Sequence, residues 1–165
     1  MAYKCIMMQA EALKAGFYSV VGRKNFLNIT SAQLEELICG KGEIDIMDWM
    51  QNTIYEEPYT SKHQVIQWFW GAVHTYSQEQ LTKLVQFVTG TSRIPAGGFA
   101  VLESNRGNYA KFCIRQMPPS ENKSPFPHAH TCFNRLTLPI YGSYEELKAK
   151  FDFIIEQEVT GFGID

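Results

Sequence analysis

The sequence predicts an α+β chain in which a small sheet of about four strands packs with helices, after a short helical segment. Three observations carry this. Capping boxes followed by apolar residues at helical spacing recur up to Gly90. From Ile94 to Leu138 that spacing gives way to short apolar runs between turn residues. Helical periodicity returns after Ser143.

The first readable helix start is Thr30 with Gln33, a capping box with Ile29 and Leu34 placed as a hydrophobic staple. Leu34, Leu37 and Ile38 share one face, and Gly40 stops the helix. Gly40-Lys-Gly-Glu43 sets two glycines around charged residues, which predicts a flexible joint at Lys41, Gly42 and Glu43. The residues before it form about two helices, too few for a core of their own. They read as the remnant of something larger.

Ile46 to Asn52 reads as a short helix, and Val65, Ile66, Phe69, Trp70 and Val73 recur as a longer one. Ser77 and Gln80 repeat the capping box, with Tyr76 and Leu81 as the staple and Gly90 as the stop. Gly97-Gly98 leads into Phe99-Ala-Val-Leu102, a predicted strand, and Asn105 to Asn108 is a turn. Phe112 to Arg115 is a second predicted strand, with Phe112 and Ile114 on one face. Pro118 to Pro127 carries four prolines and reads as a long irregular loop. Asn134 to Leu138 is a third strand with alternating faces, stopped by Pro139. Ser143 and Glu146 open the last helix, whose apolar stripe is Leu147, Phe151, Ile154 and Ile155.

Composition narrows the function. With 45% hydrophobic and 19% charged residues in 165, the chain is an ordinary globular protein and not a disordered one. A net charge of −2 gives no basic face for nucleic acid. No apolar run is long enough for a membrane span, and the N-terminus lacks a secretory pattern. Cys5, Cys39, Cys113 and Cys132 form no CxxC and no regular framework. They are expected as reduced thiols, in the cytoplasm or the nucleus.

One constellation carries chemistry. In Pro127-His-Ala-His-Thr-Cys-Phe-Asn-Arg-Leu-Thr-Leu-Pro139, a cysteine lies between a proline-rich loop and a strand. Loops on rigid scaffolds are common places for reactive groups. An ionised thiol is both a strong nucleophile and a good leaving group, which suits a residue that accepts an acyl group and surrenders it. The residues alone leave other readings open. Cys132 also fits a buried structural thiol. His128, His130 and Cys132 fit part of a zinc site, although no fourth ligand is evident. Cys132 with His63 or His74 fits a cysteine hydrolase pair.

Longer strings weigh against the structural thiol. His130-Thr-Cys-Phe-Asn-Arg-Leu-Thr-Leu-Pro139 resembles the catalytic loop and following strand of HECT-type ubiquitin ligases. Gly16-Phe-Tyr-Ser-Val-Val21 and Leu34-Glu-Glu-Leu-Ile-Cys-Gly40 are similar to late parts of that family's N-terminal lobe. Ile66-Gln-Trp-Phe-Trp70 and Leu84 to Pro95 with Gly97-Gly-Phe99 resemble its C-terminal lobe. So does Gly161-Phe-Gly-Ile-Asp165, with a Phe fourth from the end. The wording is closest to the branch whose members carry WW domains. The chain departs at Phe126-Pro127, where Leu-Pro is common, and at His128, where a basic or small residue is usual. The Pro118 to Ser124 loop is also expanded.

The resemblance implies residues 1-40 as the end of a HECT N-terminal lobe, 41-43 as an inter-lobe hinge and 44-165 as the catalytic C-terminal lobe. It implies that Cys132 takes ubiquitin from a conjugating enzyme as a thioester and passes it to a lysine of a substrate protein. His130 and Thr131 would assist at the thioester, and Asp165 would take the lysine's proton. Phe162, Phe133, Asn134 and Leu102 would position ubiquitin or the lobes. No cofactor and no metal is implied. The surface that recruits the conjugating enzyme is expected to lie mostly outside this chain. A non-catalytic ubiquitin- or protein-binding module, from a truncated ligase, is the alternative from another class, and a cysteine hydrolase is a more distant one.

Overall fold

The computed structural model describes residues 2–104, 107–119 and 125–157, with side chains described from residue 5 onward. Its order is α1 (Ala2–Val20), α2 (Ser31–Cys39), α3 (Ile46–Gln51), β1 (Ile54–Tyr55), α4 (Gln64–Val73), α5 (Gln78–Thr89), β2 (Cys113–Gln116), β3 (His128–His130), β4 (Arg135–Leu138) and α6 (Tyr144–Gln157). Short 3-10 turns occupy Arg23–Phe26, Phe99–Val101 and Thr131–Phe133. The chain divides into two compact units, Met1–Ile38 and Cys39–Asp165.

The first unit has helices but no buried side chain among its described residues. Thr30 caps α2 as its sequence predicts: its N–H donates to Gln33 Oε1 at 2.9 Å, and its Oγ1 accepts from Gln33 N–H at 3.2 Å. Yet Leu37 and Ile38 are exposed, and Leu34 is only half-buried. Phe17, Tyr18 and Phe26 make a small aromatic cluster, with the Arg23 guanidinium over the Tyr18 ring.

The second unit holds the core. Trp49 on α3 stacks on Phe99 at 5.2 Å and meets Trp70 and Phe112 edge-on. α4 and α5 contribute Ile66, Phe69, Val73, Leu81, Leu84 and Val88, and α6 closes the core with Leu147, Phe151 and Ile155. The Ser77–Gln80 capping box is complete, and Gly90 ends α5 with φ +75°. The third box is only half formed. Ser143 Oγ accepts from Glu146 N–H, but the Glu146 carboxylate reaches past Ser143 to accept from Gly142 N–H at 2.9 Å.

The sheet order is β1-β2-β4-β3. β1, β2 and β4 run parallel, and β3 is antiparallel to β4. Two strand expectations need correction. Phe99 to Leu102 is a 3-10 turn and not a strand. Gly98 enters it at φ +78°, and the Asp48 carboxylate on α3 accepts the Phe99 N–H at 2.8 Å. Phe99 and Leu102 are buried while Ala100 and Val101 are exposed, which is a period of three and not of two. β4 does not alternate: Leu136, Thr137 and Leu138 are all buried, because β4 is an interior strand covered on both faces. β1 and β3, at two and three residues, are too short to have produced a periodic signal.

At the expected joint, Lys41 and Ile94 exchange two backbone hydrogen bonds, N–H to O at 2.6 Å and 3.2 Å. The Ile44 backbone is held by two bonds to the Gln78 side-chain amide. Gly42 and Glu43 lie exposed between these anchors, and a Cβ on Gly42 would meet nothing within 4 Å. No helix among the described residues is long and apolar enough to cross a membrane.

Candidate active site at the β3–β4 turn

β3 and β4 form an antiparallel pair, and His130 opposite Arg135 closes it. The loop at its tip is Thr131, Cys132, Phe133 and Asn134. The sequence turns here because Asn134 adopts the left-handed conformation, φ 48° and ψ 42°, which Asn tolerates better than most residues with a Cβ. Its N–H returns to the Thr131 carbonyl at 3.4 Å, which closes the 3-10 turn.

Asn134 also fixes the turn to the rest of the sheet. Its side chain is 1% exposed. Its Nδ2 donates to the carbonyls of Glu103 at 2.9 Å and Ala110 at 2.7 Å. Those carbonyls belong to Glu103, which bridges to Tyr109, and to the residue after Tyr109, so one amide ties the Cys132 turn to both sides of that bridge. The Asn134 carbonyl accepts from Cys113 N–H at 3.0 Å, which joins the turn to β2. On the other side, Thr131 packs against Gly90 at the end of α5; a Cβ added there would lie 3.6 Å from the Thr131 Cβ.

This frame presents Cys132 and Phe133 outward. Both are exposed, Phe133 at 51%. His130 and Thr131 are half-buried beside them. Leu102 and Asn134 were expected to position ubiquitin or the lobes. Both side chains are buried, so in this conformation they reach a partner only through the backbone and neighbours they hold. Exposed Val101 and Glu103 flank Leu102. Phe162 and Asp165 lie outside the described residues. His128 and His130 share one face of β3, and among the described residues no three His, Cys, Asp or Glu side chains gather closely enough to hold a metal ion.

A second cluster sits on the same sheet and was not singled out in the sequence. Cys113 on β2 is buried, and its Sγ lies 3.3 Å from Glu56 Oε1. The same oxygen accepts from Arg135 Nη2 at 3.0 Å. Burial first, and then the Glu56 carboxylate, push the Cys113 thiol up to about 11, while Arg135 pulls the other way. The Arg135 guanidinium lies 5.6 Å from the centre of the Phe133 ring. No spacing rule connects Glu56 with Arg135. Parallel pairing of β1 and β4 on either side of β2 brings them together.

Chemically, an exposed thiol on a braced hairpin tip can accept an acyl group without rearrangement of the scaffold. The family model for the HECT-domain (ubiquitin-transferase) matches residues 1–165. The chain is 42% identical to the human E3 ubiquitin-protein ligase NEDD4, over 97% of this chain and 12% of that protein. It is 43% identical to the mouse E3 ubiquitin-protein ligase HECW1, over 97% of this chain and 10% of that protein. Against the human E3 ubiquitin-protein ligase HECW2 the figures are 42%, 97% and 10%. The chain thus spans about a tenth of the length of these curated relatives. With its helices and four-stranded sheet, and a match along its full length, the chain belongs to the HECT-domain (ubiquitin-transferase) family.

Proposed function

We propose that this chain is a ubiquitin-protein ligase catalytic module working in the cytoplasm or nucleus, and that Cys132 carries ubiquitin as a thioester. The observation that carries the reading is an exposed cysteine at the tip of a braced hairpin in a chain of this family.

In the first step, the Cys132 thiolate attacks the thioester between the ubiquitin C-terminus and a conjugating enzyme. One C–S bond forms and another breaks, and the enzyme's thiolate leaves. The exchange is close to balanced, so it needs approach to about 3–3.5 Å and correct orientation more than a strong base. The Thr131, Cys132 and Phe133 backbone amides are the nearest candidates to receive the developing oxyanion. His130 orients the turn. Phe133 and the surface around Leu102 would meet ubiquitin. The swing between donor and acceptor, assigned by sequence to Lys41, Gly42 and Glu43, requires either breaking the Lys41–Ile94 bonds or a pivot before Lys41.

In the second step, a lysine of the substrate protein attacks as a neutral amine. Holding a lysine neutral at pH 7 costs roughly 4.6 kcal/mol, from a pKa near 10.4. The Asp165 carboxylate would take the proton during attack, and Phe162 would anchor that segment.

The test supplies ubiquitin as the C-terminal thioester of a small thiol, so that no recruiting surface is needed. The chain should form a thiol-sensitive ubiquitin adduct, and Cys132→Ser a thiol-resistant oxyester. An adduct of undiminished yield on Cys132→Ala would sink the assignment.

A further inference from the structure

We propose that Lys111 accepts ubiquitin from Cys132 of the same chain, so that this module modifies itself beside its own reactive thiol. The inference rests on the reading of Cys132 as the acyl carrier and goes beyond it by naming an acceptor.

Lys111 stands on a short segment fastened to the Cys132 turn on both sides of it. Before it, the Ala110 carbonyl accepts from Asn134 Nδ2 at 2.7 Å. After it, Cys113 N–H donates to the Asn134 carbonyl at 3.0 Å. Asn134 is two residues from Cys132. Counting back two places from the Cys113–Arg135 pair of the parallel ladder reaches Lys111 on one segment and Phe133 on the other. Adjacent segments in such a pair lie about 4.8 Å apart. Phe112 turns inward, buried against Trp49, while Lys111 is exposed, as Cys132 and Phe133 are. The lysine thus leaves the backbone on the solvent side, next to the turn.

The other described lysines of the second unit are placed differently. Lys83 and Lys148 pair with Glu79 and Asp152, and Lys150 lies over the Phe126 ring. Lys41 is bridged through its backbone to Ile94, and Lys62 precedes α4. The bonds that Asn134 makes run to Glu103, Ala110, Cys113 and Thr131, and Lys111 is the lysine among those segments.

Tethering supplies the chemical advantage. A short flexible arm holds its end at an effective concentration on the order of millimolar, far above that of separate chains at micromolar dilution. The lysine amine rides on a flexible four-carbon stem, and it must come within about 3–3.5 Å of the thioester carbonyl. The neutral amine attacks that carbonyl. A C–N bond forms, the C–S bond to Cys132 breaks, sulfur leaves as the thiolate and the amine's proton passes to water. The product is an isopeptide between the ubiquitin C-terminus and Lys111, with Cys132 free again.

The experiment loads the chain with ubiquitin supplied as the thioester of a small thiol, removes the donor by desalting and follows the loaded chain. In wild type the thiol-sensitive adduct should convert to a thiol-resistant one, and tryptic mapping should find the ubiquitin remnant on Lys111. The conversion should be first order, with a rate constant unchanged on dilution. Lys111→Arg should load Cys132 to the wild-type extent and keep its thermal midpoint, while the thiol-resistant product falls at least about tenfold, because other lysines lack the short tether. A Cys132→Ala chain that retains Lys111, mixed with loaded Lys111→Arg, should gain almost no ubiquitin. A wild-type yield of thiol-resistant adduct from Lys111→Arg, or a remnant confined to other lysines, would overturn the proposal and leave Cys132 as carrier. So would efficient labelling of the mixed Cys132→Ala chain, or a loaded wild type that only releases free ubiquitin. A wild-type chain that never forms the thiol-sensitive adduct, or a Cys132→Ala chain that gains the Lys111 adduct equally fast from the donor itself, would remove the carrier reading and this proposal with it.

Discussion

Cys113 and Cys132 belong to adjoining parts of one sheet and live under opposite physics. Cys113 begins an interior strand, is 8% exposed and shares a carboxylate oxygen with an arginine. Cys132 stands one turn beyond the end of a short outer strand, with solvent on its open side. The first environment opposes ionisation through burial and a neighbouring negative charge. The lesson is that a thiol's availability is set by strand position: interior strands bury what they carry, and hairpin tips display it.

The largest expected effect tests that contrast directly. Under native conditions an alkylating reagent should modify Cys132 first, together with exposed Cys5 and Cys39. Cys113 should lag by at least about a hundredfold, since its exposure requires an opening of about 3 kcal/mol or more. Peptide mapping by mass spectrometry over time reads this out. Comparable rates for Cys113 and Cys132 would break the comparison.

An intermediate effect concerns what holds the displayed thiol. Asn134→Gly keeps the left-handed φ but removes the amide, leaving the Glu103 and Ala110 carbonyls without their donor. Chemical denaturation should show a loss of about 1–3 kcal/mol. Asn134→Ala should lose about 1–2 kcal/mol more, because Ala is strained at that φ. If the two variants cost the same, the left-handed turn is not what Asn134 secures.

The smallest effect lies at alkaline pH. The Cys113 thiol is raised from 9.0 to about 11 and Tyr59 from 10.0 to about 12, both chiefly by burial. Burial also raises Tyr76 and Tyr141, with Asp152 adding to the first and Glu146 to the second. A group raised in the fold contributes fully below its unfolded value and loses that contribution as pH climbs through its folded value. Stability should therefore hold up to about pH 9 and decline toward pH 11. Cys113→Ser should flatten the early part of that decline in denaturation curves taken across the range. An unchanged slope would mean that Cys113 is not the group responsible.

Much of the fold was legible because its signals are local. The boxes at Thr30 and Ser77, the stops at Gly40 and Gly90 and the stripes of α4, α5 and α6 all depend on residues within a few positions of one another. The errors came where a partner decides. Phe99 to Leu102 turns because Asp48 takes its first N–H and Trp49 takes its ring. β4 loses its alternation because both of its faces are covered. In the candidate site, Cys132, Thr131, His130 and Phe133 were proposed from a contiguous string, and the structure places them on one turn. The burial of Leu102 and Asn134, and the Glu56–Arg135 pair, were not.

The sequence by itself determined most of the helices, the boxes at Thr30 and Ser77, and the family. These rest on short-range chemistry and on a contiguous match of residues. Tertiary structure alone decided that Cys113 is hidden and Cys132 displayed, that Asn134 is a clamp, and that Glu56 meets Arg135 across β2. The physical reason is that parallel strands join distant segments. A side chain's exposure and charge environment are therefore set by neighbours that no local pattern records.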